Sequence, residues 1–146
     1  MVSEIVKRIL VGVIATFIFC VALAIFAYTP VSNREPNTAY TSLTGLFIIY
    51  AIYSGPVFII AGVIWSFVID KISVKHENYS RGKKYLSKSL CYILAGIVST
   101  LIFLFIITTG DISYNSDTFV ILAVGIIASL LYYHLHLIGQ YLASHS

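Results

Sequence analysis

Residues Asp70–Ser89 read DKISVKHENYSRGKKYLSKS, the one long polar stretch in a chain that is otherwise mostly apolar. It carries Lys71, Lys75, Arg81, Lys83, Lys84 and Lys88, six of the nine Lys and Arg residues, against only Asp70 and Glu77. Two uncharged apolar runs precede it and two follow. Of the 146 residues, 59% are hydrophobic and 10% charged, and the mean hydropathy is +0.94. Soluble domains carry about 25% charged residues, so the natural solvent of this chain is lipid. The length allows a single integral membrane domain, 1–146, and no separate soluble one.

Working back from the polar stretch, the run 43–69 is uncharged and contains Ser54-Gly55-Pro56 near its middle. Proline lacks the backbone donor and crowds the preceding turn, so a kink is expected at Gly55 and Pro56 if the run is one helix. The segment Tyr28–Ser42 before it holds Pro30, Pro36 and Arg34 beside Glu35, which is loop chemistry, with Tyr28 and Tyr40 as interface anchors. The first run, 9–28, follows Lys7 and Arg8; at about 1.5 Å per residue it crosses a hydrocarbon core of about 30 Å. A basic start and Ala22-Leu23-Ala24 also fit a signal peptide, but the run exceeds the usual apolar region of one and three more runs follow.

Forward of the polar stretch lie the runs 90–109 and 118–138, joined by GDISYNSD at 110–117. The fold expected is all-α, a four-helix transmembrane bundle with a basic loop at 70–89. Sorted by alternating loops, Lys7, Arg8 and the six cations of 70–89 share one side, and Arg34 alone falls on the other. By the positive-inside rule both termini and the basic loop are cytoplasmic. Trp65, Tyr132 and Tyr133 then fall near the inner ends of their helices, as an aromatic belt.

The first and third runs match: Leu10–Phe19 is LVGVIATFIF and Leu94–Phe103 is LAGIVSTLIF. A weaker match joins FIIYAI at 47–52 to FVILAV at 119–124. This points to two hairpins related by a parallel repeat, with the basic segment as their linker. Four small-residue pairs recur at i, i+4: Gly12 and Thr16, Gly62 and Ser66, Gly96 and Thr100, Gly125 and Ser129. Such faces let helices approach closely, within one bundle or between two copies.

Signs of chemistry are sparse. The cores of the predicted spans hold no Asp, Glu, Lys or Arg, the usual mark of ion-coupled transport. Small multidrug transporters need a membrane-embedded glutamate in the first helix, and the one glutamate nearby is Glu4. His134 and His136 are two apart and point to different faces, so no metal site is expected without help from His76 or Asp70, and histidines on one span do not hold haem. No hydrolase signature occurs. Cys20 and Cys91 sit in apolar runs as packed thiols. No cofactor is expected, and the charge pattern does not suit nucleic acid. Lys83, Lys84 and Lys88 could also lie on anionic lipid head groups.

The four-span layout, the basic middle segment and the opening MVSEIVKRILVGVIATFIF (1–19) resemble the small uncharacterised four-span membrane proteins of Bacillus-type bacteria. The resemblance implies a multi-pass protein of the plasma membrane and brings no functional residues with it. The function expected is non-enzymatic, by helix–helix or protein–protein interaction in the bilayer, with a homodimer or another membrane protein as partner. The alternative is a small transporter or channel for a neutral or lipophilic solute. A polar cavity between the hairpins would favour that alternative.

Overall fold

The computed structural model describes residues 2–74, 80–108 and 116–143. The centre of the basic segment with His76, the acidic turn with Asp111, and the last three residues lie outside the described residues. Five α-helices form four rods: α1 (Val2–Ala27), α2 (Leu43–Pro56), α3 (Gly62–Val74), α4 (Arg81–Ile107) and α5 (Ser116–Ala143). A π-helical turn, Val57–Ala61, joins α2 to α3, so the second rod is continuous through Pro56. Each rod is long and apolar enough to cross a membrane. Among the described residues there is no strand, and the fold is an all-α four-helix transmembrane bundle.

The rods close a ring. α1 packs on α2, the π turn and α3; α3 packs on α4, α4 on α5, and α5 back on α1. Outward faces carry Phe17, Leu94 and Ile106, each at least 60% exposed; a soluble fold would bury such residues, whereas here they meet lipid. The interior is built from Ala15, Phe19, Phe58, Ile69, Tyr92, Tyr132 and Tyr133.

Proline at 56 is followed by the π turn rather than by a break. Gly62 N–H bonds to the carbonyls of both Phe58 and Val57 there, and the widened turn accommodates the irregular backbone within a bundle wall. On the far side, Ser42 caps α2 by accepting from Gly45 N–H at 3.0 Å. Arg34 lies between the Tyr28 and Tyr40 rings, 5.5 and 5.4 Å from their centroids, and donates to Thr29 O at 3.1 Å.

The helices outrun the predicted spans at the basic end. Helix α1 starts at Val2 rather than Ile9, α3 continues to Val74, and α4 begins at Arg81, so most of the segment read as a loop at 70–89 is helical. Lys and Arg are good helix formers, and a charge near the bilayer surface ends the apolar run without ending the helix. The start of α1, the end of α3, the start of α4 and the end of α5 therefore lie at one end of the bundle.

Candidate functional site: a charged cap over a partly open cavity

Three registers of i, i+3 and i, i+4 spacing bring polar groups together at the basic end. Arg8 stands on the buried face of α1 that continues through Gly12, Ala15 and Phe19. On the second rod the same logic aligns Phe58, Gly62, Ser66 and Asp70, and on α4 it aligns Lys88, Tyr92 and Gly96. Arg8 donates to Ser66 Oγ and to Asp70 Oδ2, both at 2.7 Å, and its guanidinium sits 4.0 Å above the Phe67 ring. Lys88 Nζ reaches the other oxygen, Asp70 Oδ1, at 2.9 Å.

Asp70 thus accepts one cation from its own hairpin and one from the other. The Arg8 side chain is only 8% exposed, while Asp70 and Lys88 are near 29%. Arg8 Nε is buried with no partner in the protein, a position that an ordered water ordinarily fills. Tyr132, buried against Gly62, donates to Arg8 O at 3.3 Å. Asp70 and Arg8 form the most buried ion pair among the described residues, whereas charge counting alone places them at the flanks of the apolar runs. Their register with buried small and apolar residues was the signal that could have exposed them.

Aromatic rings continue the cap sideways. Tyr133 stacks on Tyr92 at 4.8 Å between centroids, Tyr92 neighbours Tyr132 at 6.3 Å, and Tyr132 stacks on His136 at 6.3 Å. Tyr132 and Tyr133 are each 2% exposed, so they are interior residues and not the interfacial belt expected for them. The cause is the opposing glycine: a Cβ at Gly62 would fall 2.7 Å from the Tyr132 ring. The two histidines do point apart. His136 is buried. His134 is exposed, its Nδ1 donating to Leu130 O at 2.7 Å and its Nε2 accepting from the Tyr85 hydroxyl at 2.9 Å. Among the described residues no cluster of three His, Cys, Asp or Glu side chains is placed to hold a metal.

Directly below the cap is a partly open cavity of about 80 Å³ between the π turn, α3, α4 and α5. Tyr92 and Tyr132 form its roof, Trp65, Ser99 and Ala128 its sides, and Gly96, Thr100, Gly125 and Ser129 its far wall. Its hydroxyls are turned to the protein. Thr100 donates to Gly96 O at 2.8 Å, Ser129 to Ile126 O at 2.9 Å, and Ser99 Oγ accepts from Trp65 Nε1 at 2.9 Å. What faces the space is mainly carbon, so the cavity suits an apolar occupant rather than a polar solute.

The small-residue pairs are spent inside the bundle. A Cβ at Gly96 would lie 2.5 Å from Ser129 Oγ and 2.8 Å from Gly125 O, and one at Gly125 would meet Thr100. Gly12 backs onto Phe58 O at 3.3 Å, and Thr16 donates to Gly12 O at 2.8 Å. Ser66 belongs to the cap, and the buried Gly55 lies near Thr16. Lys83 and Lys84 are exposed, whereas Lys88 is engaged by Asp70. Cys20, fully buried, lies 3.1 Å from Ser54 Oγ, and both cysteines are free.

No family model, curated protein or solved structure matches the chain.

Proposed function

We propose that this is a non-enzymatic multi-pass protein of the plasma membrane that binds a lipophilic molecule between its two hairpins. The observation that carries this reading is the carbon-lined cavity under the charged cap. At about 80 Å³ it is well below the roughly 300–1,000 Å³ of sites for drug-sized ligands, which favours a narrow, flexible occupant. The cavity is carbon-lined and not the polar one that would favour a transporter or channel; with the small-residue faces that motivated an interaction role turned inward, it supports binding of a lipophilic molecule over partner binding. Labelling with a diazirine-bearing hydrocarbon in native membranes, followed by peptide mapping, tests it. Labels should concentrate at Ala61, Ser99 and Ala128 over the more apolar, lipid-facing Leu94 and Ile106. Even labelling of both sets would overturn the reading.

A second reading, interaction with a homodimer partner or another membrane protein, keeps one observation. Helix α2 packs on α1 without extensive contact to α4 or α5, leaving Ile52 and Tyr53 65% and 56% exposed. Ile52→Cys would then form a specific disulfide or cross-link in membranes, and its failure to do so under oxidation would remove this reading. For topology, the basic end with both termini is cytoplasmic by the positive-inside argument; reporter fusions placing residue 81 outside would reverse it. The matching of the two hairpins reflects duplication of one hairpin.

A further inference from the structure

Resting on the lipophilic-ligand reading, we infer that the occupant of the cavity is one acyl chain of an anionic phospholipid, with its head group against Lys84 and Lys88 of α4. The helix itself draws the path. Lys84, Lys88, Tyr92, Gly96 and Thr100 follow at four-residue intervals along a slanting face of α4. Lys84 is exposed and Lys88 partly so, while Tyr92, Gly96 and Thr100 line the cavity. At about 1.5 Å per residue, Tyr92 lies about 6 Å and Ser99 about 17 Å below Lys88. One leaflet contributes about 15 Å of hydrocarbon. The cavity therefore occupies the depth of a lipid's chains when its phosphate is level with the lysines.

The charge is of the matching sign. Asp70 faces Arg8 and Lys88 together, so the cap carries a surplus of positive charge, and exposed Lys71, Lys83 and Lys84 add to it. A zwitterionic head group would be drawn less strongly than one with net negative charge. The small volume of the cavity, about 80 Å³, selects a single chain, which enters from its open side past the buried rings of Tyr92 and Tyr132.

Trp65 is the only tryptophan in the chain and lines the cavity, which makes it the reporter. The full chain is reconstituted in phosphatidylcholine vesicles containing a fixed fraction of phosphatidylglycerol, with mid-chain bromines on one lipid or the other at equal mole fraction. Brominated phosphatidylglycerol is expected to quench Trp65 at least twofold more than brominated phosphatidylcholine. Lys84→Gln with Lys88→Gln should erase the difference, as should high salt. Equal quenching by the two lipids in wild type would overturn the head-group assignment while leaving a lipophilic site intact. A preference that survives Lys84→Gln with Lys88→Gln would overturn the role of these lysines. Quenching by both lipids no stronger in wild type than in the cavity-filling Ala128→Leu would overturn the lipid site and the lipophilic-ligand reading together.

Discussion

The two hairpins use the same small residues to different ends. In the second, Gly96 and Thr100 of α4 face Gly125 and Ser129 of α5, and a Cβ at Gly96 would come within 2.8 Å of the Gly125 carbonyl. In the first, Gly12 faces the π turn across a looser gap of 3.3 Å to Phe58 O. Thr16 and Thr100 nonetheless make the same bond, each to the carbonyl four residues back at 2.8 Å. The second hairpin is thus closed by backbone proximity. The first leaves room, fills it with the Phe19–Phe58 contact at 5.2 Å, and is tied at its basic end by Arg8 and Asp70. The close backbone seam belongs to one half, while the buried arginine and the backbone irregularity belong to the other.

The sharpest way to break this comparison is to place the same methyl group in both seams. Gly96→Ala is expected to destabilise by about 3 kcal/mol, because backbone and a short side chain leave it no room. Unfolding by sodium dodecyl sulfate in mixed micelles, followed by circular dichroism, reads this loss, and a loss under about 1 kcal/mol would show that α4 and α5 are not closely seated. Asp70→Asn should cost about 2 kcal/mol, less than a fully buried pair, since Asp70 is partly solvated. Combined with Arg8→Met, the loss should be smaller than the sum of the two; strict additivity would mean that the first hairpin is not tied through this pair.

Gly12→Ala, the counterpart of Gly96→Ala, should cost only about 1 kcal/mol, since the π turn can shift by a few tenths of an ångström. Equal losses at the two glycines would erase the distinction between the hairpins. The smallest effect is expected at Tyr85→Phe. Removing its exposed hydroxyl bond to His134 should change stability by about 0.5 kcal/mol or less. A loss several times larger would make the aromatic rim a structural part of the second hairpin.

Much of the fold was legible because lipid imposes a simple rule: uncharged runs of sufficient length become helices. Runs ending at Tyr28 and beginning at Leu43 or Thr118 fall within a few residues of the observed ends. The basic end is harder to read, because the first charge ends an apolar run without ending the helix. Arg8, Asp70 and Lys88 lie on helices that run past their apolar runs, and pairing of both cations with the one carboxylate allows them to face inward. Gly55-Pro56 announced an irregularity, but whether a helix breaks or widens depends on what packs beside it, here α1 against Phe58 and Ile59. Tyr132 and Tyr133 look interfacial by residue type and are interior by context, because Gly62 makes space for a ring. The cavity had no sequence signal of its own. It arises where rods interrupted by the π turn and lined by small residues do not fully meet.

The single carboxylate shared by two cations also bears on the order in which the molecule comes together. During synthesis the amino-terminal part is available first, and in it Arg8 and Asp70 already neutralise each other. The first hairpin can therefore settle in the bilayer as a charge-balanced unit, with one oxygen of Asp70 still open. Lys88 emerges later and finds that acceptor ready-made. One carboxylate of the first hairpin thus offers the later helices a fixed point of attachment.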